Sequence, residues 1–306
     1  MSSASMRSRL LGLTLAIVGY TQPLFSQDQP LPSCAVGQPS CATAKPVVAE
    51  PNTNGLRTSR SANENNGHVS LFRAHDAVVA LGVVAVAAAT MSLDKSLAHS
   101  LQRTSVRSNS GLKGTTNVFS NLGFPGSAVI SAGAYFLGLE KRSRPIAALG
   151  MHTGEAIVLG GVLAEGLQMT IGRSRPQRDI NDPHNFRFGQ GFSNDDYTSL
   201  PSAHVTVAFA AATAASREVG RSWPGAARYV TPISYTAATL VGVSRMYKNK
   251  HWASDVVAAA GLGSYSAVLF DRYNQGHPDN VFERIFLPNS IVPKRNGVAL
   301  AWSLTR

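Results

Sequence analysis

The chain has 306 residues, 44% of them apolar and only 15% charged, a balance that allows a sizeable core and excludes a globally disordered polymer. Its formal charge of +11 suits anionic partners (phosphate esters, membrane surfaces or nucleic acid) without choosing among them. Alanine leads the apolar set, followed equally by glycine, valine and leucine, which favours closely packed helices over a sheet sandwich.

In chain order, the first element is an export signal over residues 1–26. Arg7 and Arg9 precede the apolar run Leu10 to Tyr20, and Ser26 closes a small-residue cleavage site. Residues 27–73 are rich in Pro, Ser, Asn and Gln, lack apolar periodicity and read as a flexible linker. They hold the only cysteines, Cys34 and Cys41, which in an exported chain can close a small disulfide loop. Neither a further cysteine nor a nearby histidine pair completes a zinc set, and no metal site is expected.

Six apolar stretches follow, near 77–93, 116–139, 146–171, 203–217, 228–243 and 253–270. None alternates as strands do and most exceed ordinary strand length, so the fold class predicted is an all-α six-helix bundle over residues 74–275. Ala77 to Leu93 is free of charge but only at the lower limit for crossing a bilayer, and the 146–171 stretch is interrupted by His152, Glu155 and Glu165. With a mean hydropathy of −0.01, this favours an exported, periplasmic or extracellular bundle, with membrane embedding as the alternative. The segment 276–306 reads as an extension ending in a β-hairpin turned at Arg295, Asn296 and Gly297.

Three segments carry chemistry. In SRMYKNKHWASD, Ser244 to Asp255, a helix beginning near His251 puts Asp255 one turn on, on the same face. A carboxylate there can fix the imidazole tautomer and leave the other nitrogen as nucleophile or base. The bland alternative is a surface ion pair. In TSLPSAHV, Ser202 and His204 fall at a helix start, where backbone N–H groups bind anions, although a plain N-cap serine explains the same residues. In IGRSRPQR, Arg173, Arg175 and Arg178 surround Pro176, and arginine is a bidentate binder of phosphate oxygens; a basic solvent loop is the alternative. Neither a glycine-rich phosphate loop with its lysine nor a dense carboxylate cluster is present, so metal-free phosphoryl transfer is favoured.

Together these segments resemble the tripartite signature of the type 2 phosphatidic acid phosphatase superfamily, which also contains bacterial acid phosphatases and vanadium haloperoxidases. Ser244, Arg245, His251 and Asp255 match the third motif in full. Pro201, Ser202 and His204 match the second, with Ala203 in its glycine place. Arg175 and Pro176 match the first, but Gln168 stands in its lysine place. The resemblance implies that His251 attacks phosphorus to give a phosphohistidine, that Asp255 orients it, and that His204 protonates the leaving alcohol and then activates water. Arg175, Arg245, Ser202 and the Ala203 amide would bind the phosphate oxygens, with Gln168 as an uncharged contact and Arg173, Lys248 or Lys250 supplying the missing cation. The activity implied is metal-independent hydrolysis of a phosphate monoester, lipid or soluble, with no cofactor. Alternatives are a vanadate-dependent haloperoxidase and a non-catalytic binder of anionic lipid. The partners expected are the phosphate ester, with phospholipid and a membrane surface as variants, and no nucleic acid.

Overall fold

The computed structural model describes residues 70–277, 280–287, 290–294 and 297–301. The expected signal peptide, Cys34, Cys41 and the turn residues Arg295 and Asn296 lie outside these. The described residues belong to the unit His68–Arg306 and are mostly helical. The helices are α1 (Ala74–Leu101), α2 (Thr104–Arg107), α3 (Ser110–Asn121), α4 (Ser127–Glu140), α5 (Arg144–Ile171), α6 (Ala203–Ser222), α7 (Pro224–Tyr247), α8 (Ala253–Gly276) and α9 (Val281–Phe286). The stretch expected near 116–139 thus falls on two helices, joined by a π-type turn at Leu122–Gly126 that holds Pro125, whose ring cannot continue an ordinary helix. Strands β1 (Ser290–Lys294) and β2 (Gly297–Ala301) pair antiparallel, Ser290 opposite Ala301 and Lys294 opposite Gly297.

Helix α6 is the centre of the bundle and packs on α5, α7 and α8, while α1 lies on α8, α3 on α7 and α4 on α5. Small side chains make these approaches close. Ala156, Ala210, Ala214 and Ala267 form one buried cluster across α5, α6 and α8. A Cβ at Gly263 would come within 2.1 Å of the Thr206 carbonyl, so only glycine lets α8 meet α6 there. Gly123 plays the same part beside the site, since its Cβ would crowd Val241 and the backbone of His204.

Many large apolar side chains nevertheless face outward. Val78, Leu81 and Val84 of α1, Val129, Ile130 and Phe136 of α4, and Val158 and Val162 of α5 are each more than 60% exposed. Asp94, at the polar end of the run expected to stop at Leu93, is 1% exposed and faces inward. Four helical segments, Ala74–Leu101, Ser110–Glu140, Arg144–Ile171 and Ala253–Gly276, are long and apolar enough to cross a membrane; 28 residues of helix reach about 42 Å. This overturns the preference for a bundle free of the membrane and supports the embedded alternative. Asp94 looked like the end of an apolar stretch because its partner lies far away in sequence; the helix runs two turns beyond it.

Candidate active site

The site is assembled where α5 and α7 end and α6 and α8 begin. Helix α5 stops at Gly172, which adopts φ 63°, and a Cβ there would collide with the Arg187 carbonyl. The chain then folds back on itself: Ser174 N–H donates to Asn185 O and Arg187 N–H to Gly172 O. This loop delivers Arg173, Arg175, Thr198 and Ser199 and ends at Ser202, from which α6 begins. Trp252 opens α8, and its indole N–H reaches the Ser174 carbonyl at 2.8 Å, tying the first and third motifs together.

His251 is 4% exposed, and its Nδ1 lies 2.8 Å from the Ser199 carbonyl. A carbonyl only accepts, so Nδ1 carries the proton and Nε2 keeps its lone pair. The direct hydrogen bond expected from Asp255 is absent: helix α8 begins at Ala253 rather than at His251, and Asp255 Oδ2 lies 4.0 Å from Nδ1. Oδ2 instead accepts the Ser199 hydroxyl at 2.6 Å and the Trp252 N–H at 2.8 Å. Asp255 therefore acts on the imidazole through Ser199 and caps its own helix.

Arg173 does not join the phosphate-binding set. It is fully buried, donates to Asp255 and to Asp94 Oδ2 at 2.8 Å, and gives further bonds to Ser254 Oγ and the Pro183 carbonyl. Its guanidinium also lies 5.3 Å from the Phe186 ring centroid and 5.7 Å from that of Trp252. With two carboxylates and two aromatic faces around it, no donor edge is left for substrate. Asp94 and Ser254, missed in the sequence, complete this network: Ser254 N–H donates to Asp94 Oδ1 at 2.9 Å. A lone carboxylate just past a charge-free run was the available signal, because such a group is tolerated in a core only when paired.

Gln168 is 3% exposed and its side-chain amide donates to the Pro201 carbonyl, so it shapes the approach to Ser202. Arg175 holds Asp195 through both terminal nitrogens, at 2.9 and 3.1 Å, and Thr198 Oγ1 at 2.7 Å. Arg245 donates to Ser120 Oγ at 3.1 Å. What these bonds leave over is informative: Ser202 Oγ, Arg175 Nε and Arg245 Nε are buried and have no hydrogen-bond partner. The first-turn N–H groups of α6, Ala203 included, add donors without helical acceptors.

The electrostatics agree. Burial, then the charges of Arg245, Arg175 and Lys248, pushes His204 from its ordinary 6.5 down to about 4. Burial and then Arg245 and Arg175 hold His251 well below its ordinary value, against the opposing effect of its bond to Ser199. Arg245 falls to about 10 through burial and then Arg175, and Lys248 is lowered by burial and then Arg245. The charged neighbours acting on all four groups are cations, so the surroundings of the two imidazoles are positive and favour their neutral form at neutral pH. Of the residues considered for the missing cation, Lys248 is the one whose charge reaches His204. Among the described residues no group of three or more His, Cys, Asp or Glu side chains converges as a metal set.

Comparison with known proteins adds three findings. Residues 149–277, which contain all three motifs, match the family model of the PAP2 superfamily. A segment of 65 residues is 42% identical to a lipid A 1-phosphatase of Porphyromonas gingivalis; it covers 21% of this chain and only 14% of the length of that relative. The crystal structure of a transmembrane PAP2 type phosphatidylglycerolphosphate phosphatase from Bacillus subtilis aligns over 68% of this chain and 98% of that one, with 20% identity and a TM-score of 0.44.

Proposed function

Starting from the PAP2 superfamily match over residues 149–277, we propose that the protein is a membrane-embedded phosphatase that hydrolyses a lipid phosphate monoester through a phosphohistidine, without a metal. The observation that carries this reading is the set of buried, unpartnered donors, Ser202 Oγ, Arg175 Nε and Arg245 Nε, beside a histidine whose Nδ1 is held as a donor. Orphaned donors in a positive pocket are suited to an oxyanion, and they act most strongly on the charge that develops in the transition state.

In the first step Nε2 of His251 attacks phosphorus, a P–N bond forms and the P–O bond to the alcohol breaks. The departing oxygen takes a proton from His204. His204 is neutral in the free site, and a bound phosphate dianion raises its affinity for the proton it then transfers. In the second step neutral His204 takes a proton from water, whose oxygen attacks phosphorus and displaces His251, releasing inorganic phosphate. The relatives named above act on lipid A and on phosphatidylglycerolphosphate by their names, and the apolar exterior favours the same class of substrate here. Export of the chain, expected from residues 1–26, belongs to this reading too.

The test is purified protein in detergent with a panel of phosphate esters. Activity should survive EDTA and be blocked by vanadate, which adopts the pentacoordinate geometry. His251→Ala should abolish turnover and phosphoenzyme formation together. His204→Ala should retain much of its first-step rate with a nitrophenyl ester, lose far more with an alkyl phosphate, and accumulate phosphohistidine. Phosphoenzyme still forming in His251→Ala, or a chelated enzyme restored only by added zinc or magnesium, would overturn the mechanism.

A further inference from the structure

The loop that carries Arg175 also exposes three phenylalanines. Phe188 is 85% exposed, Phe192 71% and Phe186 42%, with exposed Arg187 between two of them. A soluble surface gains nothing from large apolar rings held in water. The rings are not on a loose strap, because Gly189 N–H donates to the Thr170 carbonyl at 2.8 Å. Gly191 lies so close to the last turn of α5 that a Cβ would meet the Gln168 carbonyl at 2.7 Å. The 3-10 turn Gln190–Phe192 is thereby seated on the end of α5.

Helix α5 is one of the four segments long and apolar enough to span a bilayer. Its exposed Val158, Val162, Leu163 and Leu167 recur at helical spacing and lead up to that same end. The apolar stripe of the span therefore continues into the phenylalanine loop, at the depth where hydrocarbon gives way to head groups. Cations stand there as well: the guanidiniums of Arg178 and Arg187 lie 4.8 and 5.3 Å from the buried Tyr197 ring, Arg178 also pairing with the partly exposed Asp196 at 3.8 Å. An apolar edge followed by fixed positive charge is complementary to an anionic lipid at its head-group boundary.

We propose that Phe188 and Phe192, supported by Phe186, insert at this boundary and seat the acyl chains of an anionic lipid substrate beside Arg175. The inference rests on the phosphatase reading for its rate test, and a second readout makes it independent of catalysis. In full-length protein, Phe188→Ser/Phe192→Ser should keep kcat/KM for p-nitrophenyl phosphate within about twofold. On long-chain phosphatidate in mixed micelles the same variant should raise KM about tenfold or more, and Phe188→Trp/Phe192→Trp should restore it, since an indole suits the interface. Equal losses on both substrates, or no loss on either, overturn the proposal.

Independently, Phe188→Trp in vesicles containing phosphatidate should show fluorescence quenched by lipids brominated high on their acyl chains, over the signal of the native tryptophans. If neither substrate is hydrolysed by the native protein but this quenching appears, the phosphatase reading fails and the lipid contact stands. Absence of quenching overturns the contact. Loss of a dimer in the double serine variant, with no quenching, would assign the surface to a second copy of the chain and likewise overturn it.

Discussion

Asp255 and His251 stand four residues apart and do not bond; Ser199 connects them, accepting from the imidazole with its carbonyl and donating to the carboxylate with its hydroxyl. The orientation of His251 is thus set by a main-chain oxygen on the loop before α6, and the carboxylate holds that loop in place.

Ser199→Ala and Asp255→Ala should therefore separate. Removing the serine hydroxyl leaves the carbonyl in place, so kcat should fall about tenfold, roughly 1.4 kcal/mol, while the fold survives. Removing the carboxylate strips a partner from the buried Arg173 and should destabilise the protein by about 3–5 kcal/mol. Thermal unfolding of both variants checks this; an unshifted melting temperature in Asp255→Ala would contradict the arrangement.

Gln168→Lys can still donate to the Pro201 carbonyl while bringing a cation toward the Ser202 end of the pocket. With Arg173 committed elsewhere, the substitution should raise kcat about tenfold, or about 1.4 kcal/mol of transition-state stabilisation. Lys248→Ala should lower kcat/KM by a similar factor, and Lys250→Ala should change it little. Steady-state kinetics decide, and a well-folded Gln168→Lys that is slower than the native protein refutes the argument.

Acid should weaken the fold over a defined window. His204 binds its proton less tightly in the folded state, near pH 4, than in the unfolded chain, near 6.5. The unfolded chain therefore takes up protons first as the pH falls. The contribution of a neutral His204 is complete above about pH 6.5 and is lost as the pH falls toward about 4, with buried His251 acting in the same direction. The melting temperature followed from about pH 7.5 to about 4.5 should drop, and less steeply in His204→Gln. A melting temperature that climbs on acidification would show the sign to be wrong.

Topology offers a further test. Asp76, at the start of α1, pairs with Arg272 near the end of α8, whereas Asp94, late in α1, pairs with Arg173 at the site. The chain enters α1 at the end of the bundle remote from the site. If α1 crosses the bilayer, a cysteine introduced at Phe72 and one introduced at Asp179, an exposed position on the loop that carries Arg175, each in a Cys34→Ser/Cys41→Ser background, should react with an impermeant maleimide from opposite sides. Labelling of both from one side would mean that α1 lies against the membrane without crossing it.

The sequence by itself determined the chemical inventory. Ser202, His204, His251 and Asp255 could be picked out because their spacing along short stretches is local, Arg245 entered through the resemblance to the family signature, and local periodicity suffices to show a mostly helical chain. It also exposed Gln168 as a departure. Tertiary structure alone decided which cations face the pocket. Arg173 and Arg175 are two residues apart and look equivalent in sequence, yet one is neutralised by Asp94 and Asp255, 79 and 82 residues away, while Arg175 Nε has no partner. Ser199 gave no signal, since its role depends on a backbone carbonyl meeting an imidazole 52 residues on. The outward apolar faces were hidden for a related reason. Hydropathy averaged along the chain counts Asp94 and Glu155 against a span, but a bilayer meets only the faces that packing leaves outside, and charges turned inward are compensated by partners that chain order does not display.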